Sequence, residues 1–282
     1  MGARESNVSD ALWINDLHSY VKPYWDHLLE GSWAEGVTTG ALTLPEMQGW
    51  MVQLYPFIHS FPKFLAEALI KCEDDYSRGF YIMNIRVEKA HAEQWLWMGS
   101  GFGARREEML ALANGERQLL RDVQSLTDWL WYINTKGSLA EAVAATSFAV
   151  EGMAGDIARK VTNGFQYYRD EPEVDLSPKT YRWMRQHAQY DDEHPKIALE
   201  IVQRYATTDA LRTRAMIAAK RSLELLDNAL ITAYRAYSQA QPVKARDMER
   251  RKGEAVIAFP DRRFEQRRVP AVRTLHIAAS AH

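Results

Sequence analysis

Thr43-Leu44-Pro45-Glu46, followed by the apolar run Met47-Gln48-Gly49-Trp50-Met51-Val52-Gln53-Leu54-Tyr55, decides how the chain folds. A threonine followed three residues later by glutamate, with proline in the first turn, is a capping box that opens a helix. The signal recurs at Ser138-Leu139-Ala140-Glu141, and Ser177-Pro178 reads as another N-cap with Pro at N1. Gly137 and Gly164 fall where helices start or stop. Strand signals are nearly absent. The pattern predicts helices near 9–30, 44–71, 76–100, 105–114, 117–135, 138–163, 177–205 and 208–238. Pro56 and Pro62 should kink the second and Pro195 the seventh. Long helices with short connections imply an all-α bundle of about seven to eight helices over residues 1–240.

The 282 residues, 46% of them hydrophobic, suffice for a full core. Lys+Arg 35 against Asp+Glu 37 gives a net charge of -2, which offers no global attraction for nucleic acid. Residues 241–282 differ: ten Lys/Arg against five Asp/Glu give +5, and leave 25 against 32, or -7, for the body. Three prolines interrupt this basic tail, which reads as an extended arm. The lone Cys72 excludes an intrachain disulfide and a thiolate-rich zinc site, and suits a reducing compartment. No apolar run reaches the ~18 residues of a membrane span, and the N-terminus has no apolar signal core. The expectation is a cytoplasmic protein with neither membrane nor nucleic-acid partner.

Histidines and carboxylates carry the chemistry. His187, Asp191 and His194 lie in one predicted helix, at directions of about 0°, 40° and -20° for ~100° per residue, so they share a face. Glu88 and His91 form a Glu-x-x-His pair of the kind that bundles use for dimetal ligation. Trp95, Met98 and Phe102 continue the face of His91, which turns it inward. Glu151 stands alone in a small, apolar helical stretch, Ala144 to Gly155. A buried carboxylate there needs a cation, because an unpaired one is costly. A polar surface stripe at 187–194 and a solvated Glu151 are the competing readings.

Three stretches carry a family likeness: Asn84-Ile85-Arg86-Val87-Glu88 through His91 to Trp95; Ala144-Ala145-Thr146 through Glu151-Gly152 to Gly155; and His187 through Asp191-Asp192 to His194-Pro195 and Ala198-Leu199-Glu200-Ile201. Over roughly residues 44–235 the chain resembles the haem-oxygenase-like (TenA/PqqC-like) dimetal oxidases and oxygenases, most of all the branch that turns medium-chain fatty acids into terminal alkenes. The resemblance implies Glu88, His91 and His187 at a first iron and Glu151, Asp191 and His194 at a second, with Glu151 as a candidate bridge. Where the family usually places a glutamate on the preceding helix, this chain has His59, which makes His59 a candidate seventh ligand.

The implied cofactors are two Fe(II), with manganese as competitor, and O2 as co-substrate. Three carboxylates against two divalent ions leave about +1, which suits an anionic substrate. The function implied is an O2-activating non-haem di-iron oxidase or oxygenase acting on a small carboxylate- or amine-bearing metabolite by decarboxylase- or desaturase-like chemistry. The alternatives are N-oxygenation or oxidative rearrangement of an amino acid or amine, and a non-catalytic helical partner. A thiamin hydrolase of the same fold would need a Cys nucleophile, which the acidic neighbours of Cys72 disfavour. Neither an external electron donor nor a homodimer is excluded. Trp50, Tyr55, Phe57, Trp95, Phe148 and Tyr190 are candidate pocket aromatics, Phe148 foremost, and Arg86 or Lys89 a candidate partner for a substrate carboxylate.

Overall fold

The computed structural model describes residues 2–189 and 193–238, and for residues 2–12 and Glu193 the backbone alone. The described residues are helical, without strands. The α-helices are α1 (Gly2–Leu29), α2 (Ser32–Thr39), α3 (Leu44–Leu69), α4 (Asp75–Gly101), α5 (Arg106–Ala113), α6 (Arg121–Lys136), α7 (Leu139–Val143), α8 (Ala154–Val161), α9 (Arg182–Gln189), α10 (Glu193–Tyr205) and α11 (Asp209–Arg235). A π-helical stretch, Ala144–Val150, and a 3-10 turn, Glu151–Met153, join α7 to α8. None of the described helices is long and apolar enough to cross a membrane.

The caps explain the boundaries. Thr43 accepts from Glu46 N at 3.4 Å while Glu46 Oε2 accepts from Thr43 N at 2.6 Å, so α3 starts where the sequence says. Ser138 and Glu141 close the same reciprocal box on α7. Asp74 caps α4 through Ser77 N at 3.0 Å, and Thr208 caps α11. Helix α3 runs through Pro56 and Pro62 to Leu69.

Several expectations change. The predicted helix 138–163 is not one α-helix. Seven residues of it wind as a π-helix, with Glu151 N bonded to Thr146 O, and the spacing of the side chains shifts accordingly. Within the predicted helix 177–205 the described residues are helical over Arg182–Gln189 and Glu193–Tyr205, and residues 190–192 lie outside the described ones. Ser177-Pro178 makes a turn (Thr180 N to Ser177 O, 3.0 Å) and α9 starts at Arg182. The kink expected at Pro195 falls beside residues 190–192 and is not described. Helix α2 was missing from the sequence reading: it is eight residues long, and Gly40 at φ 69° ends it. The basic tail from residue 241 lies outside the described residues.

Helices α3 and α4 pack along each other, and α11 lies against α1, α3, α6 and the π-helical stretch. Aromatic rings fill the junction. Trp50 meets Trp33 edge-on at 5.0 Å and Trp95 at 5.6 Å, and Trp183 meets Trp95 at 4.9 Å. The wall between α3, α4 and α9 is therefore built of wide, rigid side chains.

Candidate metal centre

Helix α4 carries Tyr81, Asn84, Glu88, His91 and Trp95 at steps of three and four, and all five are buried. Helix α9 brings His187 against them. One donor atom from each of Glu88, His91 and His187 lies within 4.8 Å of the others. The His91 and His187 rings are 4.3 Å apart.

Second contacts set the imidazoles. His187 Nδ1 lies 2.9 Å from Trp183 O, so Nδ1–H donates to that carbonyl and Nε2 keeps its lone pair. Trp183 stacks on the ring at 3.8 Å. His91 Nδ1 lies 2.9 Å from Glu88 Oε1, while Nε2 is buried with no partner. Burial holds both imidazoles neutral, His91 and His187 each lowered to about 4. Burial also pushes Glu88 up to about 7, against the pull of His187 and His194. Two neutral nitrogen donors and a carboxylate short of positive charge suit a divalent transition metal.

Glu151 stands beside this cluster. Asn84 Nδ2 donates to both of its oxygens, at 2.9 and 3.0 Å, and His194 Nδ1 lies 3.0 Å from Oε1. Burial raises its pKa, His194 opposes that, and Glu88 adds to it. Phe80 meets the His194 ring edge-on at 5.8 Å.

The structure therefore brings Glu88, His91 and His187 together, with Glu151 and His194 paired alongside. Asp191 lies outside the described residues. His59 is not brought to the cluster. Helix α3 turns Trp50, Leu54, Phe57, Ile58 and Phe61 to the site, and His59 points about 150° away from their mean direction at ~100° per residue. Its ring lies 5.7 Å from Tyr55, and burial and Lys63 lower its pKa.

A cavity of about 620 Å³ of atom-free space, including its open mouth, reaches Glu88, Glu151 and His187. Its walls are almost wholly apolar, and Trp50, Phe57 and Trp95 are among them. Phe148 is not: it packs on Trp25 at 5.0 Å, on the α1 side of the π-helical stretch. Tyr55 is also absent from the lining, Tyr190 is outside the described residues, and Arg86 and Lys89 are exposed. The sequence reading missed Trp33, Trp183, Leu226 and Leu230, which complete the walls, and Asn84. The three-four spacing of Asn84 from Glu88 was the available signal for the last. Cys72 does not line the cavity, and its thiol is pushed up to about 11 by burial and then by Asp74.

Comparisons with known proteins agree on the fold. The model of the TENA/THI-4/PQQC family matches residues 18–237. A 4-aminobenzoate synthase of Chlamydia trachomatis is 25% identical over 188 residues, 65% of this chain and 77% of that protein. A TenA homolog from Pseudomonas syringae superposes with a TM-score of 0.70 at 24% identity, covering 79% of this chain and 93% of the other. A domain of unknown function with a heme oxygenase-like fold from Shewanella denitrificans gives 0.65 at 18%, covering 82% and 96%. The TenA/PqqC-like, haem-oxygenase-like bundle expected from the sequence is what the chain adopts. The expected function is overturned. The resemblance implied an O2-activating di-iron oxidase near the alkene-forming decarboxylase, whereas the relatives matched here are named a 4-aminobenzoate synthase and a TenA homolog.

Proposed function

Because the chain belongs to the TENA/THI-4/PQQC family, we propose that it is a metal-dependent enzyme that makes or transforms a small, flat metabolite of the 4-aminobenzoate type. The observation that carries this reading is the convergence of Glu88, His91 and His187 within 4.8 Å at an aromatic-walled cavity. The name of the Chlamydia relative supplies the product class. The metal is iron(II) or manganese(II) by donor type, with a second ion beside Glu151 and His194. A bound divalent ion supplies Lewis acidity and a template for the reacting group.

The chain's own residues do the rest. Trp183 O fixes the His187 tautomer, and Glu88 orients His91. Trp50, Trp95 and Trp183 exclude water and offer flat faces to a ring. Trp33 Nε1, buried in the cavity wall without a partner, is free to donate to a carbonyl or carboxylate oxygen. Thiol hydrolysis is the weaker reading, since Cys72 is protonated and away from the cavity.

The test is growth of a bacterial strain that cannot make 4-aminobenzoate, on medium lacking it. The gene for this chain should restore growth and its Glu88→Gln variant should not. Failure of the folded wild-type protein to rescue counts against the 4-aminobenzoate reading. Mn(II) binding, read separately, tests the metal.

A further inference from the structure

Among the described residues, the Asn84 side chain makes its hydrogen bonds to Glu151. Asn84 is 1% exposed on α4, and its Nδ2 reaches both Glu151 oxygens at 2.9 and 3.0 Å. Its own Oδ1 is buried without a partner. A buried amide kept for the fold has its oxygen and nitrogen paired to backbone or side chains, since each unmade bond costs about 1–3 kcal/mol. Asn134 shares the orphaned oxygen but spends its nitrogen on the fold, Nδ2 donating to Leu130 O and to Thr146 Oγ1. The protein hydrogen bonds of Asn84 go to Glu151 alone.

The helix changes type at Glu151. Glu151 follows seven residues of π-helix and begins a three-residue 3-10 turn. Its backbone N–H bonds to Thr146 O, so the π-helical stretch fixes the backbone while the carboxylate reaches across to α4. His194 reaches one oxygen, Oε1, at 3.0 Å. Asn84 straddles the pair and fixes the plane of the carboxylate. From this we infer that Asn84 is a positioning residue, which aims Glu151 at the ion beside it through a bidentate amide contact across α4 and the π-helical stretch. The inference rests on the metal reading above. Outer contacts of this type are worth about 10- to 100-fold in metal affinity.

The experiment is a double-mutant cycle on the full chain, with Mn(II) as the probe and free ion read by electron paramagnetic resonance. The proteins are wild type, Asn84→Leu, Glu151→Gln and the double variant. Asn84→Leu should weaken the binding step that Glu151→Gln weakens, by 10- to 100-fold, and leave the other step within threefold. The double variant should bind no worse than Glu151→Gln, because Asn84 acts through Glu151. Asn84→Gln, which keeps the amide, should recover part of the loss. Additive losses, or an Asn84→Leu protein that binds as wild type, overturn the inference. Thermal melts of the same four metal-free proteins provide a second cycle. Strong Asn84–Glu151 coupling in melting with no Mn(II) bound by any of them would sink the metal reading while keeping the brace; no coupling in either cycle sinks the brace. If Asn84→Leu does not fold, Asn84→Ser takes its place in both cycles.

Discussion

His91 gives Nδ1 to Glu88 Oε1 at 2.9 Å and keeps Nε2 buried with no partner, so the carboxylate one turn away orients the ring and is itself the group for which a proton and an incoming ion compete. Glu88 titrates near 7 because burial raises it, and the imidazoles of His91 and His187 near 4 because burial lowers them. At the Glu88–His91–His187 site, between pH 5 and 7, the proton an incoming ion must displace is therefore on Glu88. Mn(II) affinity should fall about tenfold per pH unit below 7 and flatten above it. A titration by calorimetry in buffers of different ionisation heat counts the proton. Affinity independent of pH over that window would show that Glu88 is not a ligand. His187→Ala should cost more than about 100-fold, since even outer contacts reach that figure.

His59 gives the opposite prediction. It faces Tyr55, away from the side of α3 that lines the cavity. His59→Ala should leave Mn(II) stoichiometry and affinity unchanged, and cost about 1 kcal/mol or less for trimming a half-buried ring. A lost ion in the His59→Ala protein would return this residue to the ligand set.

These two residues show what the sequence can disclose. The α4 face was legible because Glu88, His91 and Trp95 repeat at three-four spacing in an uninterrupted α-helix. His59 was assigned by likeness to a motif position, with no account of helical phase, and the phase excludes it. Phe148 failed for a related reason: its direction depends on a π-helical stretch, and a reading at 3.6 residues per turn puts it on the wrong side. Helix α2 was invisible because eight residues with two threonines and a glycine carry little periodicity, although it bears Trp33. The caps at Thr43, Ser138 and Thr208 are chemical rather than periodic, and the first two were legible from sequence.

The N-cap of α4 should set part of the acid limb of stability. Tyr205 and the Ser77 backbone bond to the Asp74 carboxylate and hold it well below the usual range. The folded-state pKa is depressed, so this stabilisation is present above the unfolded value of about 4 and is lost as pH falls below it. Asp74→Ala should lose about 1 kcal/mol at pH 7 in urea melts, with a smaller difference from wild type at pH 3. An equal difference at both pH values would show that the charge plays no part.

Gly164 marks a close approach of backbones. A Cβ there would lie 1.9 Å from Val37 O and 2.7 Å from Val37 C, on α2, and neither atom moves without the helix. Gly164→Ala should cost about 3 kcal/mol or push α2 outward. Since α2 carries Trp33, the variant should also shift tryptophan emission to the red. Wild-type stability and emission would mean that α2 docks differently.

The cavity itself is tested by filling it. Leu54 is 2% exposed and stands in the wall, one turn from Trp50 and Ile58. An indole at this position has little room to turn away from the cavity, because Leu54 is buried and α3 packs on α4, α5, α6 and α11. Leu54→Trp should therefore occupy the space that a flat ring would take. The cost of overpacking is about 1–3 kcal/mol, so the protein should still fold. Four tryptophans line the cavity, and 4-aminobenzoate bound among them should quench their emission in the wild-type protein. In Leu54→Trp the quench should require at least about tenfold more ligand, while Mn(II) affinity stays within a factor of three, since Leu54 offers no donor. Leu230→Phe, from the facing wall on α11, gives the same result with a smaller added volume. Loss of quenching together with Mn(II) binding would point to a collapsed site, and quenching unchanged in both variants would place the ligand outside this cavity.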